Sequence, residues 1–323
     1  MLDISLTSED QSTLSPKKII VDWGTTNFRA YLVTNDGNLL DYRKSNHGIQ
    51  NIKQGQFEDF FYKEVLDWFK KNKKLEVTAF GMVTSKNGWV ETPYIPCPVS
   101  PNQLVSSIIR KKLRNGANIN FLPGVSYQSA YPFTDVMRGE EIQVLGFGID
   151  NDVTMVLPGT HSKWVKIKNQ RIDNFKTFVT GELYSLISQY SFIGKTDQIE
   201  KKISWDTFSH GIEIVKSDPL QANAMLSLLF SGRTGILSGK IVSTEVQDYL
   251  SGLLIALEIF QAKQSGLYHK GDTIGLITDD TNLCERYQLC SEAFGLRVKV
   301  AANDTTLKGA ILISQLQAKE SNI

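Results

Sequence analysis

The sequence is short of most features that mark a membrane protein, a nucleic-acid binder or a disulfide framework. It has three cysteines in 323 residues, Cys97, Cys284 and Cys290. Three cannot all pair within one chain, none sits in a CxxC, and none lies near clustered histidines. Reduced thiols in the cytoplasm are therefore expected, and a structural zinc site is not. No apolar run reaches the ~18–20 residues that a membrane span needs. A formal charge of +1 provides no global field toward nucleic acid or an anionic membrane. The stretch Met1 to Pro16 is polar and lacks the basic-then-apolar pattern of a signal peptide, so a disordered lead is expected there. No low-complexity linker interrupts the chain. A Walker loop is absent too: around Gly239-Lys240, Thr234 occupies the required first glycine and Ile241 the hydroxyl position.

What is present is a soluble globular composition, with 41% apolar and 21% charged residues, and length for two domains. One design occurs twice. In the first copy an apolar β-branched run from Ile19 ends in Asp22-Trp23-Gly24-Thr25-Thr26-Asn27, and a second run, Phe28 to Val33, leads out. Gly24 lets backbone amides approach a ligand closely. Thr25, Thr26 and Asn27 add side-chain donors, so the turn suits a phosphate. Asp22, at the strand end, is placed to hold a divalent cation through water. In the second copy, Val153 to Leu157 runs into Pro158-Gly159-Thr160-His161 and then the alternating Ser162-Lys163-Trp164-Val165-Lys166-Ile167. Both copies continue into a third strand, past Asp36-Gly37 and past Lys168-Asn169-Gln170. Two such units predict a duplicated α/β fold whose phosphate-gripping hairpins face one cleft. The boundary falls near 148–152, giving domains 17–150 and 151–323. An ordinary polar-tipped hairpin, met twice by chance, is the plain alternative.

Between the copies, Phe57, Phe60, Phe61, Val65, Trp68 and Phe69 recur at helical spacing and read as a core-facing stripe. After the strand Val77 to Met82 comes a polar loop at a strand end, where open α/β sheets place ligands. Trp89 there could line a small polar substrate, with Asn87 and Ser85 as hydroxyl partners; a surface loop with one anchoring Trp fits as well. Glu140 and Glu141 then open an apolar helix beside Arg138 and Gly139. Helix-dipole complementarity explains acids there; so does a general base held near a cation. Further on, Thr180 is available to cap a helix, Ser231 to Gly235 reads as punctuation between helices, and Pro219 to Phe230 reads as a helix.

At these residues the chain resembles the 2-dehydro-3-deoxygalactonokinases, a branch of the sugar-kinase, Hsp70 and actin superfamily. The matching stretches are Val21 to Ala30, Gly81-Met82-Val83 with Gly88-Trp89, Val136 to Glu141, Leu157 to Val165, Thr180-Gly181-Glu182-Leu183 and Leu250-Ser251-Gly252-Leu253-Leu254. Together they span about residues 18 to 315. The resemblance implies two RNase H-like (actin-like ATPase) domains with ATP and Mg²⁺ in the cleft. It implies transfer of the γ-phosphoryl group to the 6-hydroxyl of a 2-keto-3-deoxy sugar acid. On that basis Asp22 positions Mg²⁺, Gly24 to Asn27 cradle the transferred phosphate, and Gly159, Thr160 and His161 form the opposing turn. Lys163 then faces transition-state charge, and Glu141, with Glu140 second, accepts the sugar hydroxyl proton. Arg29 or Arg138 pairs the substrate carboxylate. For adenosine, the family's glycine-containing turn is replaced by Thr278-Asp279-Asp280-Thr281, so Asp280 and Thr281 would crowd the nucleoside or bond its hydroxyls. The implied partners are the sugar acid and ATP, with a homodimer as an option. The alternatives are a phosphohydrolase of the same superfamily and a non-catalytic, nucleotide-binding sugar-acid sensor.

Overall fold

The computed structural model describes residues 17–129, 133–196, 202–217 and 223–320. The lead expected over Met1 to Pro16, and the start of the helix expected from Pro219, lie outside them. The chain divides into two compact units. The first takes the described residues up to Ile149, Gln170–Ile172 and those from Asp304 onward; the second takes Asp150–Asn169 and Asp173–Asn303.

The first unit contains β1 (Lys18–Trp23), β2 (Phe28–Val33), β3 (Leu39–Ser45), β4 (Glu76–Phe80), β5 (Tyr94–Pro96), β6 (Ile109–Lys112), β7 (Asn118–Phe121), β8 (Gly124–Gln128) and β9 (Thr134–Met137). Six of them form a mixed sheet in the order β3-β2-β1-β4-β7-β6, and β5-β8-β9 form a smaller one. Strand β1 runs antiparallel to β2 but parallel to β4. Ile19, Ile20 and Val21 are buried, as a continuous apolar run requires when both faces of a strand are covered. Helix α1 (Phe57–Lys71) carries the aromatic stripe into the core: Phe57, Phe61, Val65, Trp68 and Phe69 are buried. Glu58 and Asp59 in its first turn and Lys70 and Lys71 in its last complement its dipole. Two short helices follow, α2 (Pro101–Ser106), opened by a Ser100–Gln103 capping box, and α3 (Glu140–Phe147).

The second unit repeats the plan. Strands β10 (Val153–Leu157), β11 (Ser162–Lys168), β12 (Arg171–Phe178), β13 (Thr273–Leu276) and β14 (Arg297–Val300) are ordered β12-β11-β10-β13-β14. Hairpin, hairpin, then parallel neighbours is also the sequence of pairings around β1. Asn169 and Gln170 both take left-handed φ, 50° and 57°, the turn whose twist suits a two-residue hairpin. The helices are α4 (Thr180–Tyr190), α5 (Trp205–Ser217), α6 (Met225–Leu229), α7 (Ser231–Leu237), α8 (Val246–Gln264) and α9 (Thr281–Ala293). The expected punctuation at Ser231 to Gly235 is instead helix α7: Gly232 packs against Ile193, Leu250 and Val246, and tertiary packing outweighs glycine's poor propensity. Helix α8 is buried on nearly every side and is the axis of this unit's core.

The chain's last helix, α10 (Thr305–Glu320), belongs to the first unit. It crosses α3 at two glycines. A methyl group on Gly309 would lie 1.8 Å from the Ile142 carbonyl oxygen, and one on Gly146 would lie 1.8 Å from that of Thr305.

Candidate active site

In the first unit the site forms where β1 and β4 end. The turn after β1 closes on itself, Gly24 N donating to the Asn27 carbonyl at 2.9 Å. A second layer holds it from behind: Gly48 N donates to the Thr26 carbonyl at 2.9 Å and Ile49 N to that of Gly24 at 3.0 Å. A side chain at Gly48 would land 2.1 Å from the Thr25 carbonyl oxygen, so only glycine permits this brace. Trp23 is fully buried and donates its indole N–H to the His47 carbonyl at 3.0 Å. Thr25 and Thr26 stand exposed at the tip, and Asn27 Nδ2 donates to Thr26 Oγ1 at 3.1 Å.

Beside this turn lies a cavity of about 150 Å³ lined by Asp22, Gly24, Gly81, Arg138, Gly139 and Glu140, with Gln143 and Thr306. Backbone made of glycine brings its walls together. Gly81 (φ 87°) sits where a methyl would be 3.0 Å from the Trp23 carbonyl and 3.4 Å from Asp22 Oδ1. Gly139 (φ 107°) would place its own methyl 3.2 Å from Gly81 Cα. Asp22 pairs with Arg29 across the ladder, Nη1 to Oδ2 at 3.5 Å.

The two neighbouring acids point differently. Glu140 lines the cavity, one oxygen accepting from Arg138 N at 2.9 Å. Glu141 is completely buried, and both of its oxygens accept from Gly139 N, at 2.9 and 2.8 Å. Burial, reinforced by the Glu140 carboxyl alongside, pushes the Glu141 pKa up to about 8. Arg138 is buried as well. Its guanidinium donates to Thr84 Oγ1 at 2.6 Å, Thr92 Oγ1 at 2.5 Å and the Thr92 carbonyl at 2.9 Å, and stacks 4.1 Å over the Tyr94 ring. It makes no ion pair among the described residues. The loop residues Ser85, Asn87 and Trp89 lie outside the cavity lining. Ser85 Oγ donates to the Met82 carbonyl at 2.7 Å, Asn87 is exposed, and Trp89 packs at 5.3 Å edge-on to Phe121 and 5.9 Å from Phe61.

The second unit carries the matching turn. A methyl on Gly181 would lie 2.2 Å from the Gly159 carbonyl oxygen, and Glu182 N donates to the Thr160 carbonyl at 2.9 Å. The start of α4 is thus fixed to the glycine turn. His161 Nε2 meets Glu182 Oε2 at 2.7 Å, both half exposed. Lys163 is buried on β11 and donates to Thr177 Oγ1 at 2.7 Å. Gly159, Thr160, Thr180 and Gly181 line a pocket of about 380 Å³. Its remaining walls include Tyr184, Ser251, Asp280, Asn282 and Arg286. Thr180 does not cap α4 as expected. Val179 holds the cap position, without a side-chain bond, because the Thr180 hydroxyl is engaged by buried Glu258. Glu258 also accepts from Trp164 Nε1 and Tyr287 Oη, both at 2.8 Å, and burial raises its pKa. The aspartate that departs from the family's glycine turn is used locally. Asp280 Oδ1 accepts from Leu283 N at 3.0 Å and so caps α9. Thr281 follows it, exposed.

The first unit's cavity therefore brings Asp22, Gly24, Arg138 and Glu140 together, and the second unit's pocket brings Gly159, Thr160 and Asp280 together. Gln143, Thr306, Tyr184, Ser251 and Arg286 also line these sites, although the sequence pattern gives none of them a functional role. Ser251 lies inside the stretch Leu250 to Leu254. Its neighbour Gly252 explains the rest of that stretch: a methyl there would sit 2.0 Å from the Phe208 carbonyl, so glycine faces a helix crossing and serine faces the pocket.

Glycine turns at the carboxyl ends of parallel strands, one of them beside acids, mark a ligand-binding α/β protein whose turns suit phosphate. Comparison with known proteins makes the class specific. The model of the 2-keto-3-deoxy-galactonokinase family matches residues 22–313, and the chain belongs to that family. It is 33% identical over 301 residues to the 2-dehydro-3-deoxygalactonokinase of Escherichia coli K12, covering 92% of this chain and 97% of that one. A relative from Rhizobium meliloti, given the same name provisionally, is 30% identical over 305 residues, with coverage of 90% and 94%. A crystal structure from Sinorhizobium meliloti, also provisionally named a 2-dehydro-3-deoxygalactonokinase protein, superposes with a TM-score of 0.82 at 27% identity, covering 95% of this chain and 100% of that one. Among the described residues no helix is long and apolar enough to cross a membrane.

Proposed function

We infer that this protein is an ATP-dependent kinase that phosphorylates the 6-hydroxyl of 2-dehydro-3-deoxy-D-galactonate in sugar-acid catabolism. Membership of the family supports the reaction. The observation that carries the chemistry is the placing of Asp22 and Glu140 on one small cavity beside the Gly24 turn.

Phosphoryl transfer asks a protein chiefly for positioning and charge stabilisation. Thr25, Thr26 and the turn amides are offered to the phosphate being transferred. Glu140 takes the hydroxyl proton: it lines the cavity and has one oxygen not engaged by Arg138 N, whereas Glu141 has both oxygens tied to Gly139 N. Arg138, a buried cation without an ion pair, supplies positive potential for the sugar-acid carboxylate. In the second unit, Gly159 and Thr160 serve the nucleotide's phosphates, with His161 and Lys163 following them in the chain, and the pocket lined by Asp280, the residue before Thr281, takes the nucleoside. The reading makes each of the two units an RNase H-like domain.

No cluster of three or more His, Cys, Asp or Glu able to hold a metal occurs among the described residues. Mg²⁺ keeps several waters and is bound through one or two carboxylates plus substrate phosphates. Asp22 is the residue to hold it, and when bound the ion neutralises charge on the phosphates.

Incubation with ATP, Mg²⁺ and the galactonate- or gluconate-derived 2-keto-3-deoxy acids tests the proposal. ADP and a 6-phosphorylated sugar acid, formed only when the sugar acid is present, are expected. Phosphate release without the sugar acid would replace the kinase with a hydrolase, and binding without product would replace it with a sensor.

A further inference from the structure

The second unit buries an acid that the phosphoryl-transfer reading does not use. Glu258 is 2% exposed, sits on α8 and does not line the pocket. One carboxylate oxygen accepts from Trp164 Nε1 and the other from Tyr287 Oη, both at 2.8 Å. The hydroxyls of Thr180 and Ser162 also turn to it, and Ser162 Oγ lies 3.0 Å from Tyr287 Oη. No cation pairs with Glu258 among the described residues. Burial works against its charge, and the surrounding donors work for it. An ionised carboxylate has about four lone-pair sites, and Trp164, Tyr287, Thr180 and Ser162 can fill them all.

The donors come from the pieces of chain that hold the glycine turn. Ser162 and Trp164 lie just past Gly159-Thr160-His161, on one face of β11. Thr180 opens α4 and adjoins Gly181, whose approach to the Gly159 carbonyl leaves no room for a methyl. Next to it, Glu182 N donates to the Thr160 carbonyl at 2.9 Å. Tyr287 reaches in from α9. One carboxylate therefore joins the strand that leaves the turn to the helix that braces it. Packing alone does not call for an acid here, since the neighbouring α8 residues Leu254, Leu257 and Ile259 are buried and apolar. A fully satisfied buried polar network does something that apolar packing does not: it makes what it joins rigid and specifies one arrangement.

We propose that Glu258 is a positioning residue for phosphoryl transfer: by accepting from Ser162 and Trp164 on one side and Thr180 on the other, its carboxylate fixes the Gly159 turn in the place where it meets the phosphates. Glu258 touches no substrate and acts through the turn. The proposal rests on the kinase reading, which assigns that turn to a nucleotide's phosphates.

The test is made on the full chain, well below the melting temperature of every variant. Calorimetry measures affinity for tripolyphosphate, a phosphate chain without a nucleoside, and kinetics separate ATP from the sugar acid. Glu258→Leu fills the space and accepts nothing. Glu258→Gln keeps one oxygen for the Trp164 N–H, which can only donate, and turns an amide nitrogen toward Tyr287. Ser162→Ala removes one donor. Val215→Ala, at a buried position of α5 in the same core, controls for destabilisation. Glu258→Leu is expected to lower kcat/KM for ATP by up to about 10²-fold, the cost of misplacing a reacting group by about 1 Å, and to weaken tripolyphosphate with it. Glu258→Gln and Ser162→Ala are expected to do the same by smaller factors. The KM for the sugar acid is expected to stay at the wild-type value throughout, and Val215→Ala to lower only the melting temperature. Should Glu258→Leu fail to fold, Glu258→Gln and Ser162→Ala carry the test. Wild-type tripolyphosphate affinity in the folded Glu258 variants, equal weakening in Val215→Ala, or no tripolyphosphate binding by the wild type overturns the proposal. Failure of the kinase reading would look different: tripolyphosphate bound by the wild type and weakened in the Glu258 variants, but no sugar-acid-dependent ADP from the wild type.

Discussion

Glu140 and Glu141 are adjacent in sequence and opposite in circumstance. Gly139, at φ 107°, turns the backbone so that one carboxyl lines the cavity and the next is sealed beneath it. Replacing Glu140 with Gln is expected to lower kcat by about 10²–10⁴, the usual worth of a general base, without moving the melting temperature. Glu141→Gln should act on stability instead. The Glu141 pKa is about 8 in the folded protein against an ordinary 4.5, so below pH 4.5 both states are protonated and the group is neutral in effect. Between pH 4.5 and 8 the unfolded state gives up its proton first, and stability falls as pH rises. Melting curves should therefore decline across that window in the wild type and stay flatter in Glu141→Gln; parallel curves would refute the assignment. Asp22→Asn is expected to lose most turnover while remaining folded, because Asp22 is 20% exposed and its partner Arg29 22%, where an ion pair is worth about 0–1 kcal/mol. Near-wild-type kcat would remove Asp22 from the metal. The pair of acids was legible as a pair, since two carboxyls opening an apolar helix is a local pattern. Which of them reaches the cavity was not, because that depends on Gly139 meeting Gly81, two positions far apart in the chain.

The two glycine turns show what is readable in an element and what is not. Each announces itself by a β-branched run ending in glycine and threonine, and each forms the expected hairpin. The brace behind each turn is invisible in the pattern. Gly48 lies in a loop with no periodicity, and Gly181 looks like an ordinary helix residue. Gly181→Ala puts a methyl 2.2 Å from the Gly159 carbonyl, too close for backbone to yield cheaply, so the turn must shift. The expected result is a fall in kcat/KM for ATP of up to about 10²-fold, the cost of misplacing a reacting group by about 1 Å, with a smaller change in KM for the sugar acid. Equal effects on both would mean general destabilisation rather than a displaced turn. The small sheet β5-β8-β9 escapes a reading of the sequence for another reason. Strand β5 is three residues long, mostly exposed, and ends in proline, and β9 alternates without burying more than Met137. Neither offers the half-buried, β-branched run by which a strand is recognised.

At the scale of the whole molecule the chain does not leave its first unit for good. It enters the second unit at Asp150, rejoins the first briefly over Gln170–Ile172, and returns to it from Asp304 onward. A boundary drawn from the internal repeat alone assigns everything after 151 to the second half, because α10 carries no mark of where it packs. The glycines at 146 and 309 set that destination, and only the folded backbone shows them together. The return matters for function: α10 supplies Thr306 to the cavity and seats the helix bearing Glu140. Ile313, completely buried on α10, lies well along the helix from Thr306 and does not line the cavity. Ile313→Ala is expected to cost about 2–5 kcal/mol of stability and to lower the temperature at which kinase activity disappears, while adenosine binding by the second unit outlasts it on heating. Calorimetry with and without adenosine separates the outcomes. If the variant loses adenosine binding and activity at the same temperature, the two units melt as one cooperative body. If activity goes first, the last helix stabilises the acid-bearing half alone, and the duplicated units keep separate stabilities despite sharing one interleaved chain.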